Sequence, residues 1–195
     1  MIDREETLRL FEKTQALLNG HFQLASGLHS GQYFQCALIL QHPAYAEKLG
    51  RAIAEMFRGQ EITCVIGPAL GCIVIGWEVA RALGVKGLYS ERVNGEMKLR
   101  RGFSVNPADK ILVVEDVITT GGSAQEVVAL LQGSATVVGV ASIVDRSATT
   151  PSFGVPYKSL LKMDIKTYEQ AACPLCKEGR PIDKPGTKAN VQAAT

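Results

Sequence analysis

The chain has no Gly-Lys-Ser/Thr loop and no Gly-x-Gly-x-x-Gly fingerprint. These absences exclude the P-loop of nucleotide hydrolases and the glycine turn of dinucleotide-binding folds. Neither sign of charge is in surplus: 21 Lys and Arg face 19 Asp and Glu, a formal net of +2. That balance gives no electrostatic footprint for nucleic acid or a membrane surface, and no helix-turn-helix pattern appears. Long apolar runs are missing as well. The longest, CVIGPALGCIVIGW over 64–77, is broken by Pro68 and three glycines and is too short to span a bilayer. The opening MIDREETLRLFEK is acidic and amphipathic without an apolar signal core, so a cytoplasmic protein is expected. Cysteine occurs five times, an odd number. Cys36, Cys64 and Cys72 sit in apolar surroundings, which reads as reduced, buried thiols.

What is present fits one domain with a sizeable core: 195 residues, 46% hydrophobic. Leu8, Leu10, Phe11, Leu17 and Leu18 suggest one helix stopping near Asn19-Gly20. GHFQLASGLHSGQYFQC (20–36) is rich in Gly and Ser yet studded with aromatics, the mark of a structured loop or hairpin. Pro43 can open a helix whose stripe Ala46, Leu49, Gly50, Ile53, Met56 and Phe57 ends at Gly59. From there short apolar runs alternate with helices. ITCVI (62–66) leads to a helix ending near Gly84, ILVV (111–114) leads to SAQEVVALLQG, and TVVGVASIV (136–144) follows. The fold class is α/β, a parallel sheet covered by helices on both faces. After about residue 170 the chain turns polar, and 171–195 is expected to be an irregular tail.

The stretch ILVVEDVITTGGS (111–123) carries the chemistry. A strand ends, two acids follow, and Thr119-Thr120-Gly121-Gly122 feeds a helix expected to start at Ser123, with Glu126 completing a capping box. A turn at the C-terminal end of a parallel strand is where open α/β sheets bind ligands. Glycines admit a close backbone approach, and the amides and dipole of a helix start favour phosphate. Glu115 and Asp116 repel phosphate but can accept from sugar hydroxyls or help hold a metal-bound ligand. A ribose 5-phosphate satisfies both halves.

VVEDVITTGGS resembles the phosphoribosyl pyrophosphate (PRPP) signature of type I phosphoribosyltransferases. The resemblance implies that fold, with a small N-terminal hood over about 1–40 and a single domain over 1–170. It also implies PRPP contacts from Arg92, Glu115, Asp116, Val117, Ile118, Thr119, Thr120, Gly121, Gly122 and Ser123. LASGLHSGQYF (24–34) and ASIVDRS (141–147) resemble the hood and the Asp-Arg strand end of orotate phosphoribosyltransferases, a shorter branch of which carries a Cys-Pro-x-Cys tail. By that likeness Arg146, Thr119, Tyr33 and Phe34 contact orotate, an anion suited to the planar fork of arginine. The implied cofactor is Mg2+ carried by PRPP, with no metal held directly by the protein. The implied partners are PRPP, orotate and a second copy of the chain, with neither nucleic acid nor membrane. A purine phosphoribosyltransferase and a PRPP-binding regulator without turnover are the alternatives. Departures are visible: Ala25 precedes Ser26 where the hood often has Lys, Gly71 replaces a loop lysine, Val93 follows Arg92, and 91–102 has no histidine.

ERVNGEMKLRRG (91–102) reads as a hairpin turning at Asn94-Gly95, with Glu96, Lys98 and Arg100 on one side and Met97 and Leu99 on the other. The resemblance implies a mobile loop reaching the partner's site. There Lys98, Arg100 or Arg101 replaces the missing cations, and Lys98 with Asp116 is assigned to catalysis. Cys173-Pro-Leu-Cys176 matches half a zinc knuckle. No second Cys pair or His-x-x-x-His follows it, so a metal-free turn is expected, or four thiolates shared between two chains.

Overall fold

The computed structural model describes residues 2–24 and 26–185. Ala25, where the hood departs from the family pattern, and the tail from 186 onward lie outside them. Helix α1 (Arg4–Lys13) is capped by Asp3, whose carboxylate accepts from the Glu6 amide at 2.7 Å. The chain then turns at Gln15, at φ 54°. Leu17 and Leu18 belong to a strand, β1 (Leu17–Gln23), instead of extending the helix to Asn19. An apolar pair fits either period, and the ladder to β2 (His29–Phe34), with Leu17 opposite Phe34, decides for strand. Helices α2 (Cys36–Leu40) and α3 (Pro43–Met56) follow, the latter with proline in its first turn.

Next come β3 (Cys64–Pro68), α4 (Cys72–Leu83), β4 (Lys86–Val93), β5 (Glu96–Leu99), β6 (Lys110–Ile118), α5 (Gly122–Leu131), β7 (Thr136–Asp145) and β8 (Tyr157–Lys162). The main sheet runs β5-β4-β3-β6-β7-β8, parallel except for the β4–β5 hairpin. Along β6, Leu112 and Val114 pack into one core with α3 and α4, while Ile111 and Val113 pack into the other with α5. Both faces are dry, which is why ILVV shows no alternation. β6 also runs four residues beyond that apolar run. Glu115 pairs in register with Ser142 and Ile118 with Asp145, so the two acids are strand residues and not a solvated pair before a turn.

A second sheet, β1-β2-β9, forms the hood, and its third strand β9 (Thr167–Tyr168) comes from late in the chain. The tail is ordered at its start: α6 (Pro174–Lys177) docks beside the hood, with Cys173 fully buried. No described helix is long and apolar enough to cross a membrane.

Candidate active site

The C-terminal ends of β3, β6 and β7 meet beneath the hood. The loop from β6 to α5 borders a cleft of about 360 Å³, lined by residues 117–123 with Ser26, Glu115 and Glu126. Asp116 Oδ1 accepts from the amide of its neighbour Val117 at 2.8 Å. Gly121 sits at φ 82°, and a Cβ there would meet Phe153 and Pro151 at 3.0 Å. Only glycine makes this turn without strain.

The expected capping box is not formed. α5 begins at Gly122 with Gly121 as its cap and no side-chain cap bond, and Glu126 instead pairs with Arg92 at 2.7 Å. Since the first amides of a helix have no intrahelical partners, leaving them free of a serine cap keeps them available to an anion.

Glu115 is 8% exposed. Its Oε2 accepts from the Cys72 thiol at 2.8 Å. Burial and then the neighbouring Asp116 push the Glu115 carboxyl up to about 8, and burial raises Asp116 too. Burial, followed by these two carboxylates, pushes the Cys72 thiol far up, so it stays a donor. Gly71 lies against Asp116: a Cβ at 71 would stand 2.5 Å from Oδ2. The position that lacks the family's lysine is thus one where any side chain would displace the acid. A buried Glu115 and a half-buried Asp116 side by side suit sugar hydroxyls, or Mg2+ taking most of its ligands from phosphates and water. The soft Cys72 thiol beside them is no ligand for Mg2+.

Arg146 follows the last residue of β7 and is 4% exposed. Its Nη2 donates to Ser30 Oγ at 3.5 Å, and its Nε is buried without a partner among the described residues. The adjacent Asp145 is committed to Lys162 at 2.9 Å and to Ser147. Burial lowers the proton affinity of Arg146. An unpaired buried guanidinium costs several kcal/mol, which a bound anion offsets. Tyr33 is half-buried beside Phe22, ring centroids 5.7 Å apart, and its hydroxyl is pushed up by burial and then Asp116. Phe34 leaves the site. Successive strand residues face opposite ways, and Phe34 packs edge-to-face on Phe11 at 5.1 Å in the core. Ile118 is also a core side chain, and its carbonyl accepts from the Arg146 amide at 2.8 Å. A ligand could meet Ile118 only through its backbone.

Residues 91–99 form the expected hairpin, with Asn94 at φ 52° and Gly95 at φ 89°. Met97 and Leu99 are half-buried while Glu96, Lys98 and Arg100 are exposed, matching the expected alternation. Lys98 pairs with Glu96 at 3.0 Å, and Arg101 grips Glu91 through two hydrogen bonds of 2.8 and 2.9 Å. Neither Lys98 nor Arg92 lines the cleft of its own chain. Cys72 and Ser30 were missed as site residues. Their only sequence signal was their place inside GPALGC and SGLHSGQYF.

A family model described as "Phosphoribosyl transferase domain" matches residues 37–172. A Pelotomaculum thermopropionicum protein named orotate phosphoribosyltransferase is 53% identical over 186 residues, covering 95% of this chain and 98% of its own. One of the same name from Caldanaerobacter subterraneus is 50% identical over 188 residues, covering 96% and 99%. Among solved structures, the Mycobacterium tuberculosis orotate phosphoribosyltransferase in complex with inorganic phosphate superposes with a TM-score of 0.62 at 26% identity. It covers 80% of this chain and 95% of its own.

Proposed function

The chain belongs to the orotate phosphoribosyltransferase family, and from that premise we propose how its cleft works. The enzyme is a pentosyltransferase that joins N1 of orotate to C1 of PRPP, yielding orotidine 5-phosphate and pyrophosphate in pyrimidine biosynthesis. The observation that carries the reading is Arg146: a buried guanidinium with an unpartnered Nε beside the 117–123 loop asks for an anionic planar base. Ser30 positions that guanidinium, and Tyr33 and Thr119 frame the base.

The loop amides and hydroxyls of Thr119, Thr120, Gly121, Gly122 and Ser123, with the backbone at Val117 and Ile118, wrap the 5-phosphate. Glu115 and Asp116 accept from the ribose hydroxyls. Orotate N1 arrives deprotonated, so no protein base is required, and the barrier lies in breaking the bond to pyrophosphate. Asp116 favours positive charge developing on the sugar. Mg2+ carried by the diphosphate of PRPP neutralises the leaving group when bound. The remaining work of the chain is to orient both substrates and exclude water.

The working unit we propose is a homodimer in the cytoplasm. Leu70 in the turn before α4, and Val74 and Trp77 in its first turns, are 69%, 44% and 63% exposed, an apolar stripe suited to a second copy. Across that interface Lys98, Arg100 and Arg92 on the 91–102 hairpin reach the partner's pyrophosphate. The five free thiols suit a reducing compartment. The test is pyrophosphate release from PRPP and Mg2+ with orotate, hypoxanthine or adenine. Orotate alone should support it, and turnover with a purine instead would overturn the assignment.

A further inference from the structure

Four side chains outside the cleft converge where the hood meets the tail. His21 in β1 and His29 in β2 are buried neighbours across the hairpin, Nε2 of the first lying 3.0 Å from Nδ1 of the second. Cys173 and Cys176 bracket the start of α6 on the same side. Cys173 Sγ is 3.6 Å from His21 Nε2, while Cys176 Sγ is 3.7 Å from that nitrogen and 3.3 Å from His29 Nδ1. All four atoms lie within 4.8 Å of one another. Tetrahedral zinc, with bonds of about 2.0–2.1 Å to nitrogen and about 2.3 Å to sulfur, sets its ligand atoms about 3.3–3.8 Å apart. The three sulfur–nitrogen contacts fall within that range, and the two imidazole nitrogens, at 3.0 Å, stand slightly closer than it.

Protonation points the same way. His21 Nδ1 is 2.9 Å from the carbonyl oxygen of Arg180, which can only accept. The proton therefore sits on Nδ1 and the Nε2 lone pair faces the cluster, the arrangement by which ligating histidines are held. That one lone pair is approached by three groups at 3.0, 3.6 and 3.7 Å. Hydrogen bonding satisfies one of them, whereas a cation at the centre satisfies all. A lone CPLC turn has only two donors. Here the other pair comes from the hood of the same chain, so neither a distant motif nor a second subunit is needed.

We propose that His21, His29, Cys173 and Cys176 form a closed, four-ligand structural zinc site that staples the hood to the tail. Binding displaces two thiol protons, and Zn2+ with two thiolates and two neutral imidazoles carries no net charge. The staple holds β2 at His29, one residue before the Ser30 that contacts Arg146.

The test begins with elemental analysis of the reduced, full-length protein, which should carry about one zinc per chain. A strong chelator should remove it and lower the melting temperature. Cobalt(II) added to the stripped protein should give the intense visible bands of a tetrahedral site together with thiolate-to-cobalt charge transfer. Cys176→Ser, at an exposed position, should weaken zinc retention at least about tenfold and diminish the charge-transfer band. Cys173→Ser should do the same, and if it does not fold, Cys176→Ser still decides. Reduced protein that binds neither metal stoichiometrically, or variants that hold it as tightly as the parent, would overturn the site.

Discussion

Replacing Glu115 by Gln isolates the cost of burying its charge. The amide keeps the shape and an oxygen to accept from Cys72, but it cannot ionise. In the fold the Glu115 carboxyl titrates at about 8 against an ordinary 4.5, through burial and then Asp116. The folded chain therefore holds this proton where the unfolded chain releases it. Stability from this group is complete below about pH 4.5 and is lost as pH rises towards about 8. Between about pH 5 and about pH 9 the loss amounts to about 4 kcal/mol, at ~1.4 kcal/mol per pKa unit. For a chain of this size that corresponds to about 8–16 °C in melting temperature. Thermal unfolding across this range, without PRPP or divalent cations, should show Glu115→Gln and wild type drawing apart as pH rises, with the variant the more stable. Parallel curves would refute the account, since they would mean that Glu115 is ionised and solvated in the free protein.

Arg146→Ala should lower kcat/KM for orotate by ~2–4 kcal/mol, about 30- to 1,000-fold, through loss of a charged hydrogen-bond partner; unchanged orotate kinetics would remove Arg146 from the site. Lys98→Ala should cut kcat about a hundredfold while PRPP affinity, measured by calorimetry, changes little, as expected of a cation engaged only in the closed state. Mixing Lys98→Ala with inactive Asp116→Asn chains should restore part of the activity in heterodimers, and heterodimers that form without recovery would confine the hairpin to its own subunit.

The parallel sheet was legible because strands buried on both faces must be apolar throughout, as Ile111 to Val114 are. The phosphate loop was legible from Thr119 to Gly122, since few other structures need hydroxyls and paired glycines after an apolar strand. Local patterns failed where distant contacts outweighed them. Leu17 and Leu18 fit helix or strand until β2 pairs with them, and Ser123 with Glu126 reads as a capping box until Arg92 takes the glutamate. Glu115 and Asp116 looked like residues beyond the end of a strand because acids are seldom buried, yet the β6–β7 ladder continues through Ile118 and Glu115 is buried within it. Phe34 beside Tyr33 suggested an aromatic pair, and strand alternation separates them. The cluster of His21, His29, Cys173 and Cys176 was illegible for another reason. No spacing rule links a hairpin to a tail some 150 residues away.

The hood's third strand matters for how the chain is made. β2 acquires its outer neighbour only when Thr167 and Tyr168 arrive, roughly 140 residues after His29. At about 5–20 residues per second a ribosome needs roughly 7–28 s to supply them. During that interval the first hairpin stands on the nascent chain with the edge of β2 unpaired, and an open edge is a template for any other strand. Ordering of the hood must therefore wait for nearly the whole described chain to emerge, and a ribosome stalled after β8 would leave a complete main sheet beneath an unfinished hood.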